Sequence, residues 1–166
     1  IGGQAEGLEM FKAGAIDIAA LIEPYASTAV GDVEGAHMLT DGIDLYGPGY
    51  TDCVLVARDE QIQNNPAPLK ALLKGMMKAQ QMAETDPESV LETLVGTYYK
   101  TPMEFARAAK AKQPAIVDAR DQTDFILEKV ETVAEMGYIK KKPTRDAINW
   151  TLLEEVIAFH FQGHRE

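Results

Sequence analysis

Few residues in this chain are of types and spacings that do chemistry. Glu23-Pro24-Tyr25 delivers a carboxylate, a rigid ring and an aromatic side chain at a single turn. Residues 18–22 just before it are apolar without alternation, the pattern of a strand covered on both faces. Proline ends such a strand by fixing the turn and denying an amide to the sheet. In an open α/β sheet the carboxyl end of a strand, followed by a helix N-terminus, is where small molecules are received. The same three residues also suit a plain strand-to-helix connection with an exposed Glu and a packed Tyr. His160 and His164 stand four apart, which puts two imidazoles on one helical face. They lie near the end of the sequence with no glutamate between them, so no metal site is assigned. Residues 42–49 are glycine-rich but lack the lysine and the helix context of a phosphate loop. There is no Gly-x-Ser-x-Gly elbow and no dinucleotide fingerprint. The reading is therefore not an enzyme: no catalytic residue and no cofactor are assigned.

The elements that position these residues follow from periodicity and punctuation. Residues 4–13 read as an amphipathic helix, with Leu8 and Phe11 inward, ended by Gly14. Gln4 at its start is a candidate pocket residue or a helix cap. After Tyr25 a short helix over 26–30 ends near Gly31. A second, weaker strand is expected at 37–40 and a third at 53–57. Between them Asp41-Gly42 and Gly47-Pro48-Gly49 form turns, flanked by Tyr46 and Tyr50. Cys53, inside a Val-rich strand, is expected to be a buried, inert thiol. From Asp59 onward the pattern is helical. A long helix starts at Pro66, and Asp86-Pro87 caps the next, which carries Val90, Leu91, Leu94, Val95 and Tyr98. Thr101-Pro102-Met103-Glu104 is a capping box with proline at the first helical position. Asp121 starts a helix that Gly137 ends, and Asp146 or Asn149 starts the last.

These motifs, taken in order, resemble a family. Gly-x-Ile-Asp-x-Ala at residues 14–19, then Glu-Pro-aromatic at 23–25, is similar to the nitrate/sulfonate/taurine-type substrate-binding proteins of ABC importers and their thiamin-pyrimidine-binding relatives. Tyr50-Thr51-Asp52-Cys53-Val54-Leu55-Val56-Ala57 resembles the strand that returns to the first lobe. Residues 62–66, the helix over 69–83, Asp86-Pro87-Glu88 and Met136-Gly137-Tyr138-Ile139 continue the likeness. The resemblance implies an α/β, type II periplasmic-binding-protein-like fold: few strands in the first third, then mostly helices. It implies that residues 1–50 belong to the second, ligand-binding lobe. Residues 51–166 would form the return strand and the helices packing on the first lobe. The ligand-binding residues so implied are Gln4, Glu23, Pro24, Tyr25, Tyr46 and Tyr50. Either tyrosine of the 46–50 segment would close on a ligand or cover the hinge.

The implied function is delivery of a sulfonate, nitrate or pyrimidine-type compound to an ABC permease, outside the cytoplasm and with the signal peptide removed. Thiamin-pyrimidine synthases share this fold but carry a cysteine-rich run where this chain has Cys53 alone. A ligand-sensing domain of a regulator is the third class. The family is roughly twice as long, close to two ordinary domains, and the chain opens at Ile1. The expectation is therefore a C-terminal portion lacking its N-terminal half, completed by a second chain or a swapped protomer. A formal net charge of −10 argues against nucleic acid, whose phosphates demand a basic face. One cysteine excludes an internal disulfide and a cysteine-rich zinc site.

Overall fold

Glycine and proline set most of the helix ends in the computed structural model, which describes residues 3–162. The helices are α1 (Gln4–Lys12), α2 (Tyr25–Asp32), α3 (Gly42–Tyr46), α4 (Asp59–Asn64) and α5 (Pro66–Thr85). They continue with α6 (Pro87–Leu94), α7 (Met103–Lys112), α8 (Thr123–Glu135) and α9 (Thr151–Gln162). Single 3-10 turns lie at Arg120–Gln122 and Arg145–Ala147. Gly14 takes a φ of +67°, donating to the Phe11 carbonyl while Ala15 donates to Met10. This paired arrangement satisfies two orphan carbonyls at the end of α1. Gly137, at φ +80°, ends α8 in the same way, with bonds to Ala134 and from Tyr138 to Val133. Asp86 caps α6 by accepting from the Ser89 amide at 3.2 Å.

The expected strands are not formed among the described residues. Segments 18–22, 37–40 and 53–57 are neither helix nor ladder, and the one bridge joins Val95 to Tyr99. The fold is mostly helical rather than visibly α/β. An apolar run reports a preference for burial, whereas a strand exists only with a partner, and no two of these segments pair. Ile18 and Val56 are 72% and 82% exposed, so the covering layers that their sequence anticipates are absent too. Cys53 is likewise exposed, not buried. Asp52 lies beside it at 3.6 Å and raises the thiol pKa, chiefly by its charge, with some desolvation and a hydrogen bond in the same direction. A thiolate is disfavoured there.

The chain divides into two compact units. The first comprises residues 1–41 and 81–115, in which α1 packs on α2, α2 on α7 and α7 on α6. Its core is built from small side chains (Ala26, Ala29, Ala106 and Ala109) with Leu8 and Leu91. Gly31 does not end α2 as its type suggests. It lies inside the helix, where the Phe105 ring occupies the space a β-carbon would need, 2.1 Å from that position. The capping box at the start of α7 is not made either: Pro102 is the N-cap residue and no side chain caps it. Tyr98 lies beyond α6, in the turn that Gly96 makes at φ +82°.

The second unit comprises residues 42–80 and 116–166. Leu153 and Val156 of α9 are its buried apolar residues, with Thr123 at the start of α8. The Trp150 indole donates to Thr123 Oγ1 at 3.1 Å, and Thr123 donates to the Arg120 carbonyl at 2.7 Å. Gln80 accepts from the Val117 amide at 2.8 Å, and Lys70 pairs with Glu155. Asn149 accepts from the Thr151 amide, marking the start of α9. No helix among the described residues is long and apolar enough to cross a membrane.

Candidate functional site

In the first unit the chemistry at residues 23–25 is a hydrogen-bonded hub. The Glu23–Pro24 bond is cis. The Glu23 carboxylate accepts from the Ser27 amide and the Ser27 hydroxyl, both at 3.0 Å. It thus caps α2 from just outside the helix, one of the roles acidic groups fill at a helix N-terminus. Lys112, from the end of α7, reaches both Glu23 and Ser27 at 3.4 Å. The Glu23 side chain is only 11% exposed, so its carboxylate is held rather than displayed.

Pro24 is buried, and its carbonyl accepts from both the amide and the hydroxyl of Thr28, at 3.0 and 2.8 Å. The Thr28 hydroxyl has one proton, committed to that carbonyl. Thr101 is therefore the donor in the buried 2.5 Å contact between the two hydroxyls. The Thr101 hydroxyl is directed at Thr28 of α2, and no side chain caps α7. Gln4, at the start of α1, accepts from the Ile22 amide at 2.9 Å and fixes the approach to the hub. Tyr25 is half-buried at the first position of α2. The structure thus brings Gln4, Glu23, Pro24 and Tyr25 to one edge. It uses Gln4 and Glu23 to hold backbone, and it adds Ser27, Thr28, Thr101 and Lys112.

In the second unit Tyr46 and Tyr50 come together. Their ring centroids lie 5.6 Å apart, tilted by 51°. Gly47 and Gly49 adopt φ values of +83° and +79°, which fold the loop back on α3. Gly42 has no β-carbon where the Tyr50 hydroxyl sits, 2.0 Å from that position. Phe125, on α8, meets Tyr46 edge-on at 5.9 Å. Lys129, one turn further along α8, places its ammonium 4.8 Å from the Tyr46 ring and 5.1 Å from Phe125. Sequence periodicity assigns α8 an apolar face but does not mark Phe125 or Lys129. Their spacing of four was the available signal. Thr51 Oγ1, the next residue, is shielded from solvent with no hydrogen-bond partner among the described residues.

The sequence places the remaining chemistry elsewhere. Among the described residues no group of three His, Cys, Asp or Glu side chains stands ready to hold a metal ion. His164 lies outside the described residues, and the side chain of His160 is not described.

Residues 3–94, more than half of the chain, match the NMT1-like family, and the chain belongs to this family of nitrate/sulfonate/taurine-type ABC substrate-binding proteins. It is a binding-protein family, generally without enzymatic activity. Comparison with curated proteins and with solved structures gave no match.

Proposed function

We propose that this chain is a solute-binding protein, or part of one, that delivers a small molecule to an ABC importer. A sulfonate, a nitrate or a pyrimidine-type compound is the ligand class in that reading. One observation carries it: the stretch matching the family, residues 3–94, contains Gln4, Glu23, Pro24, Tyr25, Tyr46 and Tyr50. The edge of the first unit and the tyrosine pair of the second are each assigned to ligand contact. Residues 1–50 belong to the ligand-binding lobe, and residues 51–166 supply the return strand and helices of the other lobe. The protein works outside the cytoplasm, docks on a membrane permease and performs no chemistry on its cargo. The unpaired segments 18–22, 37–40 and 53–57 take their neighbours from a second chain or a swapped protomer, which completes the sheet.

Native mass spectrometry of the purified protein, with denaturing spectra of the same sample, tests this directly. A co-purified small molecule, with taurine, nitrate or a pyrimidine binding in calorimetry and weakened by Tyr25→Ala, is the expected result. A bare chain that binds none of the three, nor any other small organic ligand, would overturn the solute-binding reading.

A further inference from the structure

The aromatic cluster in the second unit combines two features that ordinary core packing does not require. Tyr46 is 49% exposed while Tyr50 and Phe125 are half-buried, and a cation is held over the Tyr46 and Phe125 rings. An ammonium within about 6 Å of an aromatic face is attracted by the negative charge of that face. Lys129 meets this condition for two rings at once. It is also bonded to Glu128 at 2.9 Å. An ammonium carries three donors, so one such bond leaves capacity for a ligand oxygen. The cluster is preformed as well: the Gly42 gap, the two left-handed glycines and the edge-on Phe125 set the ring positions without a ligand. Preformed rings spare a ligand the entropy of ordering them.

We infer that Tyr46, Tyr50, Phe125 and Lys129 form a binding surface for a planar aromatic acid, the rings stacking on its ring and Lys129 pairing with its carboxylate. This rests on the solute-binding reading above but assigns a different ligand class, a planar aromatic carboxylate. Two residues not otherwise assigned, Phe125 and Lys129, become specificity determinants: Phe125 for flatness and Lys129 for negative charge. A cationic ligand is disfavoured by the like charge of the Lys129 ammonium beside the rings. A small inorganic anion gains the charge term but not the stacking term, which is worth 0.5 kcal/mol or more for well-placed rings, on the order of a twofold or larger gain.

The test is titration of the full isotope-labelled chain, followed by NMR, with four probes. Benzoate is planar and anionic, and cyclohexanecarboxylate is anionic without a flat ring. Benzamide is planar and neutral, and benzyltrimethylammonium is planar and cationic. The expected result is that benzoate binds tightest and shifts Tyr46, Tyr50, Phe125 and Lys129 resonances. Lys129→Gln should weaken benzoate about tenfold, as loss of a charge-assisted bond does, and leave benzamide nearly unchanged. Phe125→Leu should weaken benzoate and benzamide but spare cyclohexanecarboxylate. Circular dichroism and melting of both variants serve as the fold control, and neither change removes a buried group. Tighter binding of benzyltrimethylammonium than of benzoate would overturn the inference, as would identical affinities for all four probes. If a co-purified ligand depends on Tyr25 but is indifferent to both α8 variants, this inference fails and the solute-binding reading stands. If nothing binds in either experiment, both fail.

Discussion

At Glu23 one carboxylate holds a backbone amide, a hydroxyl and an ammonium. Removing it orphans the Ser27 amide at the start of α2, a loss that costs about 0.5–2 kcal/mol at comparable caps. The Lys112 pair adds little, since that lysine is half exposed and surface pairs are weak. Glu23→Ala should therefore lower the urea midpoint with the slope unchanged, and Glu23→Gln should recover part of the loss. A variant of full stability would show that the carboxylate is dispensable to α2. A second residue-scale expectation concerns acid. Arg107 donates to Glu88 from Nε and Nη2, at 2.7 to 3.1 Å, and these bonds hold the Glu88 carboxyl below its ordinary range. Hydrogen bonds from Arg120 do the same for Asp118. A carboxyl whose pKa is lower in the folded state binds fewer protons there than when unfolded. Its stabilising contribution is present above the ordinary carboxylate range and is lost as pH falls through the lowered folded value. Carboxyl-carbon NMR should show Glu88 titrating low in the parent and at its usual position in Arg107→Met. Both pairs are exposed, so high salt should shrink the difference.

At the scale of elements, α2 and α7 meet through a glycine and a ring. Gly31→Ala puts a methyl group where Phe105 lies, and overpacking of this kind typically costs 1–3 kcal/mol. Phe105→Leu should recover part of that loss in the double variant. Additive losses in a thermal-unfolding cycle would show that the two positions do not couple. What was legible in the sequence follows the same division between local and distant causes. The ends at Gly14 and Gly137, the cap at Asp86 and the helical run from Asp59 are local, and each is where its residues place it. Gly31 and Thr101 depart from their local preference, and each meets a partner far away in sequence, Phe105 and Thr28. The three strands misled because pairing is a property of two segments. Of the candidate site, Gln4, Glu23, Pro24 and Tyr25 were visible as one turn and one helix start. Lys112, Phe125 and Lys129 arrive on helices that sequence spacing reads only as amphipathic.

For the molecule as a whole, the unpaired segments leave Ile18, Leu39, Val54 and Val56 more than half exposed. Unpaired extended backbone carrying apolar side chains is a template for pairing with another chain. The native chain is therefore expected to brighten an apolar-sensitive dye and to associate as protein concentration rises. A net charge of −10 opposes that association at low ionic strength, so added salt should promote it. Sedimentation at two salt concentrations checks this; a dye-silent monomer at both would mean these segments are covered within the single chain in solution.

Trp150 is the one tryptophan in the sequence, half-buried and hydrogen-bonded to Thr123 within the second unit. Its emission is thus a private optical channel: excited at the red edge of the absorption band, it comes from a side chain of that unit alone, since residues 1–41 and 81–115 contain no tryptophan. Circular dichroism sees the helices of both. Overlaying the two unfolding curves separates one cooperative transition from two, with no label and no substitution.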